Sequence, residues 1–265
     1  MKNSKHIEIY DTTLRDGAQA EGVTFSPSSK IQIAKTLDSF GVDYIEGGFA
    51  ASNPRDMAFF NEIKKIKLKH AQIASFGSTR RANVKVSEDK GTKALIEADT
   101  PVCTIFGKSW LLHVEEVLKT TAEENLLMIE DTCKFLKDHG KKVIYDAEHF
   151  FDGYKSNSEY AIKTILSAKK GGADSIVLCD TNGGCLSHEI FEIIQQVKEV
   201  CNLPLGIHSH NDSDTGVANA MEAIRAGVMQ VQGTMNGFGE RCGNCNLISV
   251  VANIIQKTDQ TCLHN

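Results

Sequence analysis

Short apolar runs alternate with longer amphipathic segments along almost the whole chain, and this pattern predicts strands and helices in turn. A short apolar run bounded by polar residues or glycine is typical of a strand buried on both faces. The chain has eight such runs, at residues 7–10, 44–47, 72–76, 102–106, 142–146, 175–179, 205–207 and 229–232. Between them, apolar residues recur every three or four positions, which indicates helices with one buried face.

Helix boundaries are marked by residues that satisfy exposed backbone groups. Ser26 followed by Pro27 predicts the start of one helix, because serine caps the first amide groups and proline lacks the N–H that would stay unpaired there. Gly41 predicts the end of that helix, since glycine adopts the left-handed conformation that often follows a last turn. Ser187 is predicted to cap another helix, whose apolar face occupies residues 190–200.

Eight strands alternating with helices predict a closed parallel (β/α)8 TIM barrel, an α/β fold that needs about 250 residues. The chain has 265 residues and contains no low-complexity tract, so a single catalytic domain over residues 1–265 is expected. A doubly wound sheet of more elements is the alternative. No Gly-x-Gly-x-x-Gly motif follows an early strand, which disfavours that dinucleotide-binding fold.

Composition bears on the partners of the chain. The formal net charge of −5 argues against non-specific nucleic-acid binding, which needs a basic field. No apolar run approaches the roughly 20 residues that span a bilayer, and the first residues lack the apolar segment of a signal peptide. We therefore expect a cytoplasmic protein with reduced cysteines and without nucleic-acid or membrane partners. Cys242 and Cys245 form one Cys-x-x-Cys pair, which alone does not predict a structural zinc site.

Polar residues concentrate after the predicted strands, which is the end of a TIM barrel where active sites lie. His208 and His210 are two positions apart, so their imidazoles point to the same side of an extended strand. Imidazole is the commonest protein metal ligand. Asp16 follows the first strand, which neighbours the eighth in a closed barrel, with the seventh next to it. This carboxylate therefore predicts a three-ligand metal site with open positions, and an ordinary turn aspartate is the alternative.

Other candidates stand at the same strand ends. The Arg15 guanidinium suits a carboxylate or an enolate oxygen, or it is a plain surface arginine. Glu148 is a candidate base or water-orienting group, and Glu46 is a candidate partner for Arg15. Either carboxylate fits an ordinary place on the barrel rim as well. Tyr145 and Thr181 are less specific candidates, because hydroxyl groups at strand ends often satisfy backbone atoms.

Three segments together resemble the DRE-TIM metallolyase family, which includes 2-isopropylmalate, homocitrate and citramalate synthases and 3-hydroxy-3-methylglutaryl-CoA lyase. They are residues 11–19 (DTTLRDGAQ), 208–212 (HSHND) and 237–244 (GFGERCGN). Within that family, residues 44–48, 76–81, 106–110, 146–153 and 178–184 are similar to the citramalate synthase branch. The resemblance extends from about Ile7 to Ile254.

The resemblance implies a catalytic barrel that binds a divalent metal, Mn²⁺, Mg²⁺ or Zn²⁺, through Asp16, His208 and His210. Asn244 would be a further ligand or would support one. The metal would chelate and polarise a 2-oxo acid, and acetyl-CoA would attack as an enolate. Hydrolysis of the thioester would then drive the condensation. Pyruvate as the 2-oxo acid would give citramalate, a step of branched-chain (isoleucine) biosynthesis, and the dimeric relatives imply a homodimer.

The same resemblance assigns roles to the remaining candidates. Arg15 matches the family arginine that stabilises the enolate or keto oxygen, and Glu46 matches the residue that holds this arginine. Glu148 matches a carboxylate near the acetyl group. Tyr145 and Thr181 match residues that line the keto-acid pocket.

Family members continue beyond the barrel into small linking subdomains and a C-terminal regulatory domain. We expect this chain to lack those parts, and with them feedback inhibition by an amino acid. Three alternatives stay open beside synthase activity. They are a metal-dependent acyl-CoA lyase or aldolase on the same fold, a truncated barrel that is inactive without a partner chain, and an iron oxygenase that uses two histidines and one carboxylate.

Overall fold

The computed structural model describes residues 5–51 and 54–264 of the chain. Its eight strands are all parallel and close into a barrel in sequence order, and β1 pairs with β8 through a register that sets Tyr10 opposite Gln232. The strands are β1 (Glu8–Asp11), β2 (Tyr44–Phe49), β3 (Gln72–Ser78), β4 (Val102–Lys108), β5 (Lys142–Glu148), β6 (Ser175–Asp180), β7 (Leu205–Ser209) and β8 (Gln230–Gly233). The predicted TIM barrel and its eight strands are confirmed.

Amphipathic helices surround the barrel and bury their apolar faces against the outer side of the sheet. They are α1 (Pro27–Phe40), α2 (Pro54–Ile63), α3 (Lys90–Glu97), α4 (Leu111–Glu116), α5 (Ala122–Asp138), α6 (Phe150–Ser156), α7 (Ser158–Lys170), α8 (Ser187–Val200), α9 (Gly216–Ala226) and α10 (Leu247–Lys257). Within the described residues, no helix is long and apolar enough to cross a membrane.

The predicted boundaries of α1 are confirmed. The Ser26 hydroxyl accepts a hydrogen bond from the Ser29 amide at 3.1 Å, and Gly41 has a left-handed φ of 95°. The prediction that Ser187 caps α8 is wrong, because Ser187 is the first helical residue and Leu186 precedes it as the cap. The Glu189 carboxylate accepts the Leu186 amide at 2.8 Å, which leaves the Ser187 hydroxyl free to donate to Asn219 at 2.8 Å.

The interior of the barrel changes from apolar to polar along its axis. Alternate residues of each strand point inward, and an apolar group fills the middle: Tyr10, Tyr44, Ala74, Val102, Ile144, Val177 and Cys179. Beyond this layer, toward the carboxyl ends of the strands, the inward residues become Glu46, Asp146, His208 and Gln232, all of them buried. A layer of inward polar side chains therefore lies just inside the end of the barrel where active sites occur.

A buried ion pair supports the irregular end of β2. Lys30 of α1 donates to the Gly47 carbonyl at 2.8 Å and to the Asp56 carboxylate at 2.6 Å. The other Asp56 oxygen accepts the Phe49 amide at 3.0 Å. Gly48 has a φ of 152°, and a Cβ there would lie 2.4 Å from the Asp56 carboxyl carbon. The bulge thus needs glycine to let Asp56 approach the strand.

Candidate active site

A cavity of about 280 Å³ opens at the carboxyl ends of the strands. It receives side chains from most of the strands and the loops that follow them. Its lining consists of Arg15, Asp16, Gln19, Phe49, Phe76, Phe106, Asp146, Glu148, Cys179, Thr181, His208, His210 and Glu240. The cavity is therefore charged on one side and aromatic on the other.

Asp16, His208 and His210 meet in this cavity. One potential ligand atom from each lies within 4.8 Å of the others, and all three residues are buried. The Asp16 Oδ2 atom is 3.2 Å from His208 Nε2. The two imidazoles point the same way because they stand two apart along β7 and its continuation. Asp16 reaches them from a tight turn after β1, where its amide donates to the Thr12 carbonyl at 2.8 Å.

The electrostatics of this group favour an ionised Asp16 and a neutral His210, whereas Asp16 raises the pKa of the His208 imidazole although burial opposes its charged form. Burial opposes the charged form of His210 and, with His208 beside it, lowers the pKa of that imidazole to about 3. Burial alone would raise the pKa of Asp16, but Arg15 and the hydrogen bond with His208 hold it well below its usual range. A carboxylate and a neutral imidazole are the protonation states in which these groups bind a metal.

Two buried atoms beside this group support the fit to a cation. His210 Nδ1 and the side-chain oxygen of Asn244 have no hydrogen-bond partner in the described structure. Buried polar atoms are nearly always paired, so such atoms need an explanation. His210 and Asn244 face each other through a β-bridge, and the Asn244 amide nitrogen donates to the Phe238 carbonyl at 3.2 Å. The donor set of Asp16, His208, His210 and the Asn244 oxygen therefore suits a divalent metal.

Sequence reasoning missed the residues that orient His208. Its Nδ1 atom lies 2.9 Å from the Gln232 side-chain oxygen, and the Gln232 amide nitrogen donates to Asp146 at 3.0 Å. The amide orientation makes Nδ1 the protonated nitrogen and leaves Nε2 to face Asp16. Burial raises the pKa of Asp146 to about 7. The strand register could have indicated this partner, because Gln232 is a polar residue of β8 and stands opposite His208 of β7.

Arg15 is held rigidly at the wall of the cavity. Its Nε atom donates to Glu46 at 2.5 Å, and its guanidinium stacks on the Phe76 ring with 3.8 Å to the centroid. It also lies 3.4 Å from Asp16, while Glu46 accepts a second hydrogen bond from the Tyr10 hydroxyl at 2.8 Å. The structure therefore brings Arg15 and Glu46 together, with Glu46 behind Arg15 rather than at the cavity surface.

Glu148 and Thr181 both line the cavity. Glu148 forms an ion pair with Lys108, a partner that the sequence did not indicate. The Thr181 hydroxyl accepts the His149 amide at 2.9 Å. That bond anchors a residue whose φ of 53° is left-handed, so Thr181 also shapes the turn after β5.

The structure does not bring Tyr145 to the cavity, which corrects its predicted place in the pocket. Tyr145 follows the inward Ile144 and precedes the inward Asp146, so it points outward between the sheet and the helices. A Cβ on Gly107 would lie 2.8 Å from its hydroxyl, so Gly107 makes room for the ring. Burial raises the pKa of Tyr145 well above its usual value.

The loop after β8 is shaped around Asn244. Gly243 has a φ of 92°, and a Cβ on Gly239 would lie 2.2 Å from the Asn244 amide nitrogen. Arg241 fastens this loop to its neighbours by donating to Asp212 at 2.8 Å and to the Thr181 carbonyl at 2.7 Å. Cys245 of this loop is buried as a free thiol, whereas Cys242 is exposed.

A parallel eight-stranded barrel with a buried carboxylate and two imidazoles at the carboxyl ends of its strands defines a TIM-barrel protein with a candidate metal centre. The chain belongs to the HMGL-like family, whose model matches residues 6–264. This confirms the resemblance to the DRE-TIM metallolyases.

Relatives of known name cover most of this chain. The (R)-citramalate synthase of Aquifex aeolicus is 58% identical over 252 residues, which are 95% of this chain and 48% of that protein. The (R)-citramalate synthase of Geobacter sulfurreducens is 54% identical over 257 residues, which are 97% of this chain and 49% of that protein. The chain thus spans about half the length of these curated relatives.

The barrel also matches solved structures. The hydroxymethylglutaryl-CoA lyase of Pseudomonas aeruginosa superposes with a TM-score of 0.83 at 18% identity, over 100% of this chain and 90% of that chain. At this level of identity the likeness concerns the fold.

Proposed function

We propose that this chain is the catalytic barrel of an acyltransferase that condenses acetyl-CoA with pyruvate to form citramalate. The observation that carries the proposal is the meeting of Asp16, His208, His210 and Arg15 in one buried cavity. Relatives named (R)-citramalate synthase, 49–58% identical over most of the chain, support this choice of reaction within the family.

The donor set proposed for the divalent metal is Asp16, His208, His210 and the Asn244 oxygen. A metal held there supplies a Lewis acid that polarises the keto carbonyl of the 2-oxo acid. Mixed nitrogen and oxygen donors suit Mn²⁺, Zn²⁺ or Mg²⁺.

Arg15 is proposed to stabilise the negative oxygen that develops during the reaction. Its pairing with Glu46 and its stacking on Phe76 fix the guanidinium before the substrate arrives. A donor oriented in advance stabilises charge without reorganising during the reaction, which is the main electrostatic source of catalysis.

Glu148 is the group proposed to take the methyl proton of acetyl-CoA. The C–H electron pair then forms the new bond to the keto carbon of pyruvate. The π electron pair of the C=O bond moves to the keto oxygen, which takes up a proton and becomes the hydroxyl of the product. Water attacks the thioester and releases the coenzyme thiol, so each turnover yields one free thiol. Lys108 holds Glu148 in place through their ion pair.

Three phenylalanine rings are proposed to select a small 2-oxo acid. Phe76 stacks on Phe106 with 5.3 Å between ring centroids, and Phe49 meets the Phe76 ring edge-on at 5.6 Å. This apolar wall suits the methyl group of pyruvate. Discrimination against one extra methylene is worth about 1–3 kcal/mol, so 2-oxobutyrate would be a slower substrate rather than an excluded one.

We further propose that the reaction serves branched-chain (isoleucine) biosynthesis in the cytoplasm and that the chain acts as a homodimer. Light scattering on the purified chain measures the number of subunits directly.

A thiol-release assay tests the activity. Acetyl-CoA, Mn²⁺ or Mg²⁺, and one of pyruvate, 2-oxoisovalerate or 2-oxoglutarate are mixed with the chain, and free thiol is followed by absorbance. Pyruvate is expected to give the fastest release. His210→Ala is expected to abolish it, and His188→Gln, at an exposed site on α8, is expected to leave it unchanged. Absence of thiol release with all three 2-oxo acids would contradict the proposal.

A further inference from the structure

A second group of metal-binding side chains lies at the opposite end of the barrel from the cavity. His6 precedes β1, Asp43 precedes β2, and His264 follows α10. One potential ligand atom from each lies within 4.8 Å of the others. We propose that this lower cluster, His6, Asp43 and His264, is a second metal site that binds Zn²⁺ or a similar transition metal.

Both imidazoles converge on one carboxylate oxygen. Asp43 Oδ1 lies 2.8 Å from His6 Nε2 and 2.8 Å from His264 Nε2. The other oxygen, Oδ2, accepts the Ile9 amide at 2.8 Å. Because the β1 backbone holds Oδ2, the carboxylate presents Oδ1 toward the two imidazoles.

Backbone contacts hold the lower cluster in place. The Ile7 amide donates to the Thr261 carbonyl at 2.7 Å, which fixes the segment that carries His6. The His264 amide donates to the Gly41 carbonyl at 3.0 Å. A Cβ on Gly41 would lie 2.3 Å from the His264 carbonyl oxygen, so glycine permits this approach. Little rearrangement is needed to gather the three donors.

Ring contacts orient the imidazoles. His70 stacks on His264 with the planes 4° apart and the centroids 5.4 Å apart. The Thr261 hydroxyl lies 3.5 Å from His6 Nδ1 and can accept a hydrogen bond from that nitrogen. His6 Nε2 would then carry the lone pair that binds the metal. A hydrogen bond at the far nitrogen is the usual support of a metal-binding histidine.

Accessibility and donor chemistry select the type of ion. The side chains of His6, Asp43 and His264 are 32%, 11% and 43% exposed, so an ion reaches them without unfolding the barrel. Two imidazoles, one carboxylate and a water complete the tetrahedral set that Zn²⁺ prefers. Mg²⁺ prefers oxygen donors and is disfavoured here. An ion at this site would join the segment before the first strand to the segment after the last helix.

Zinc binding to the metal-free, untagged chain tests the proposal through competition with a chromophoric chelator. His6→Gln and His264→Gln are each expected to bind one zinc ion fewer than the wild type. His188→Gln is the matched control and is expected to bind as many ions as the wild type. The same zinc count in the wild type and both cluster variants would overturn the proposal. The contacts of His6, Asp43 and His264 would then be hydrogen bonds without a metal role.

Unfolding measurements separate this site from the cavity. Zinc is expected to raise the unfolding midpoint of His210→Ala, which lacks a cavity donor but keeps the lower cluster. The rise is expected to disappear in His210→Ala/His264→Gln. An equal rise in both proteins would also overturn the proposal, whatever the outcome of the thiol-release assay.

Discussion

At the scale of single residues, Gln232 decides which nitrogen of His208 is available. Its amide oxygen faces His208 Nδ1 at 2.9 Å, and its amide nitrogen is used by Asp146 at 3.0 Å. The pair therefore behaves as one oriented unit, in which neither side chain can turn without breaking a buried hydrogen bond.

Replacing Gln232 by leucine is expected to weaken divalent metal binding at the cavity about 10- to 100-fold, because His208 loses the partner that fixes its ring. Metal titration with a fluorescent chelator measures this change. Gln230→Leu is the control, since Gln230 lies two positions earlier on β8 and pairs with Glu8 instead. Equal weakening in both variants would show that the effect is general loosening of the barrel.

Arg15→Lys is expected to lower kcat roughly 10²- to 10³-fold in the thiol-release assay. Lysine lacks the planar fork that pairs with Glu46 while stacking on Phe76, so its charge would not be fixed at the same place. Arg81→Lys, at an exposed arginine paired with Asp89, is expected to keep full activity. Full activity of Arg15→Lys would remove Arg15 from the mechanism.

The burial of Asp11 predicts that the stability of the folded chain depends on pH. Asp11 is buried on the outer side of β1, accepts the Thr13 amide at 3.0 Å, and burial raises its pKa to about 7. The folded state therefore holds this proton more tightly than the unfolded state, whose aspartate has a pKa near 3.9. The stability that results is complete below about pH 4 and is lost as the pH rises toward 7.

Asp11→Asn removes this loss. Relative to the wild type, the variant is expected to gain about 2 to 4 kcal/mol of unfolding free energy between pH 4 and pH 8, measured by urea unfolding. Asp38→Asn is the control, because backbone amides lower the pKa of Asp38 and keep it ionised over the upper part of that range. Its difference from the wild type should stay constant from pH 5 to pH 8. A pH-independent effect of Asp11→Asn would contradict the burial argument.

At the scale of elements, the bulge of β2 depends on α1. Lys30 is the cation that holds both the Gly47 carbonyl and Asp56, and Asp56 in turn holds the Phe49 amide. Phe49 also lines the cavity, so this small network connects helix packing to the shape of the site.

Lys30→Met is expected to lower the free energy of unfolding by about 3–5 kcal/mol, because it leaves the buried Asp56 charge without its partner. Chemical denaturation measures the change. Lys35→Met lies on the exposed side of the same helix and is expected to change stability by less than about 0.5 kcal/mol. A similar small effect of both substitutions would show that the ion pair makes no net contribution to the free energy of unfolding.

At the scale of the whole molecule, the segment after α10 completes the barrel at its lower end. Thr261 pairs with the backbone before β1, His264 reaches Gly41, and Cys262 is buried between them. Residues far apart in the sequence thus belong to one cooperative structure.

A chain ended at Gln260 is expected to lose about 2–4 kcal/mol of unfolding free energy, since it gives up these hydrogen bonds and the burial of Cys262. Denaturation should remain a single transition. Metal-free His264→Gln keeps the backbone contacts and should lose much less stability. If the shortened chain is as stable as the wild type, the segment is not part of the cooperative structure.

The barrel and the family could be predicted from the sequence because their signals are local. Apolar runs separated by helical periodicity identify strands and helices without knowledge of their partners, and the His-x-His spacing already places two imidazoles on one side. Strand order then brings Asp16 toward them, since closure makes β1 the neighbour of β8.

The direction of individual side chains depended on the tertiary structure. Strands of a parallel barrel are buried on both faces, so the alternation that would distinguish Tyr145 from Asp146 is absent from the hydrophobic pattern. For the same reason Gln232 did not stand out as a partner of His208, nor Glu46 as a residue behind the cavity wall. The lower cluster joins His6 and His264 only through barrel closure. Sequence alone determined which elements form and at which end polar groups gather, because both follow from local periodicity. Tertiary structure decided which side chains meet, because register and packing act between distant segments.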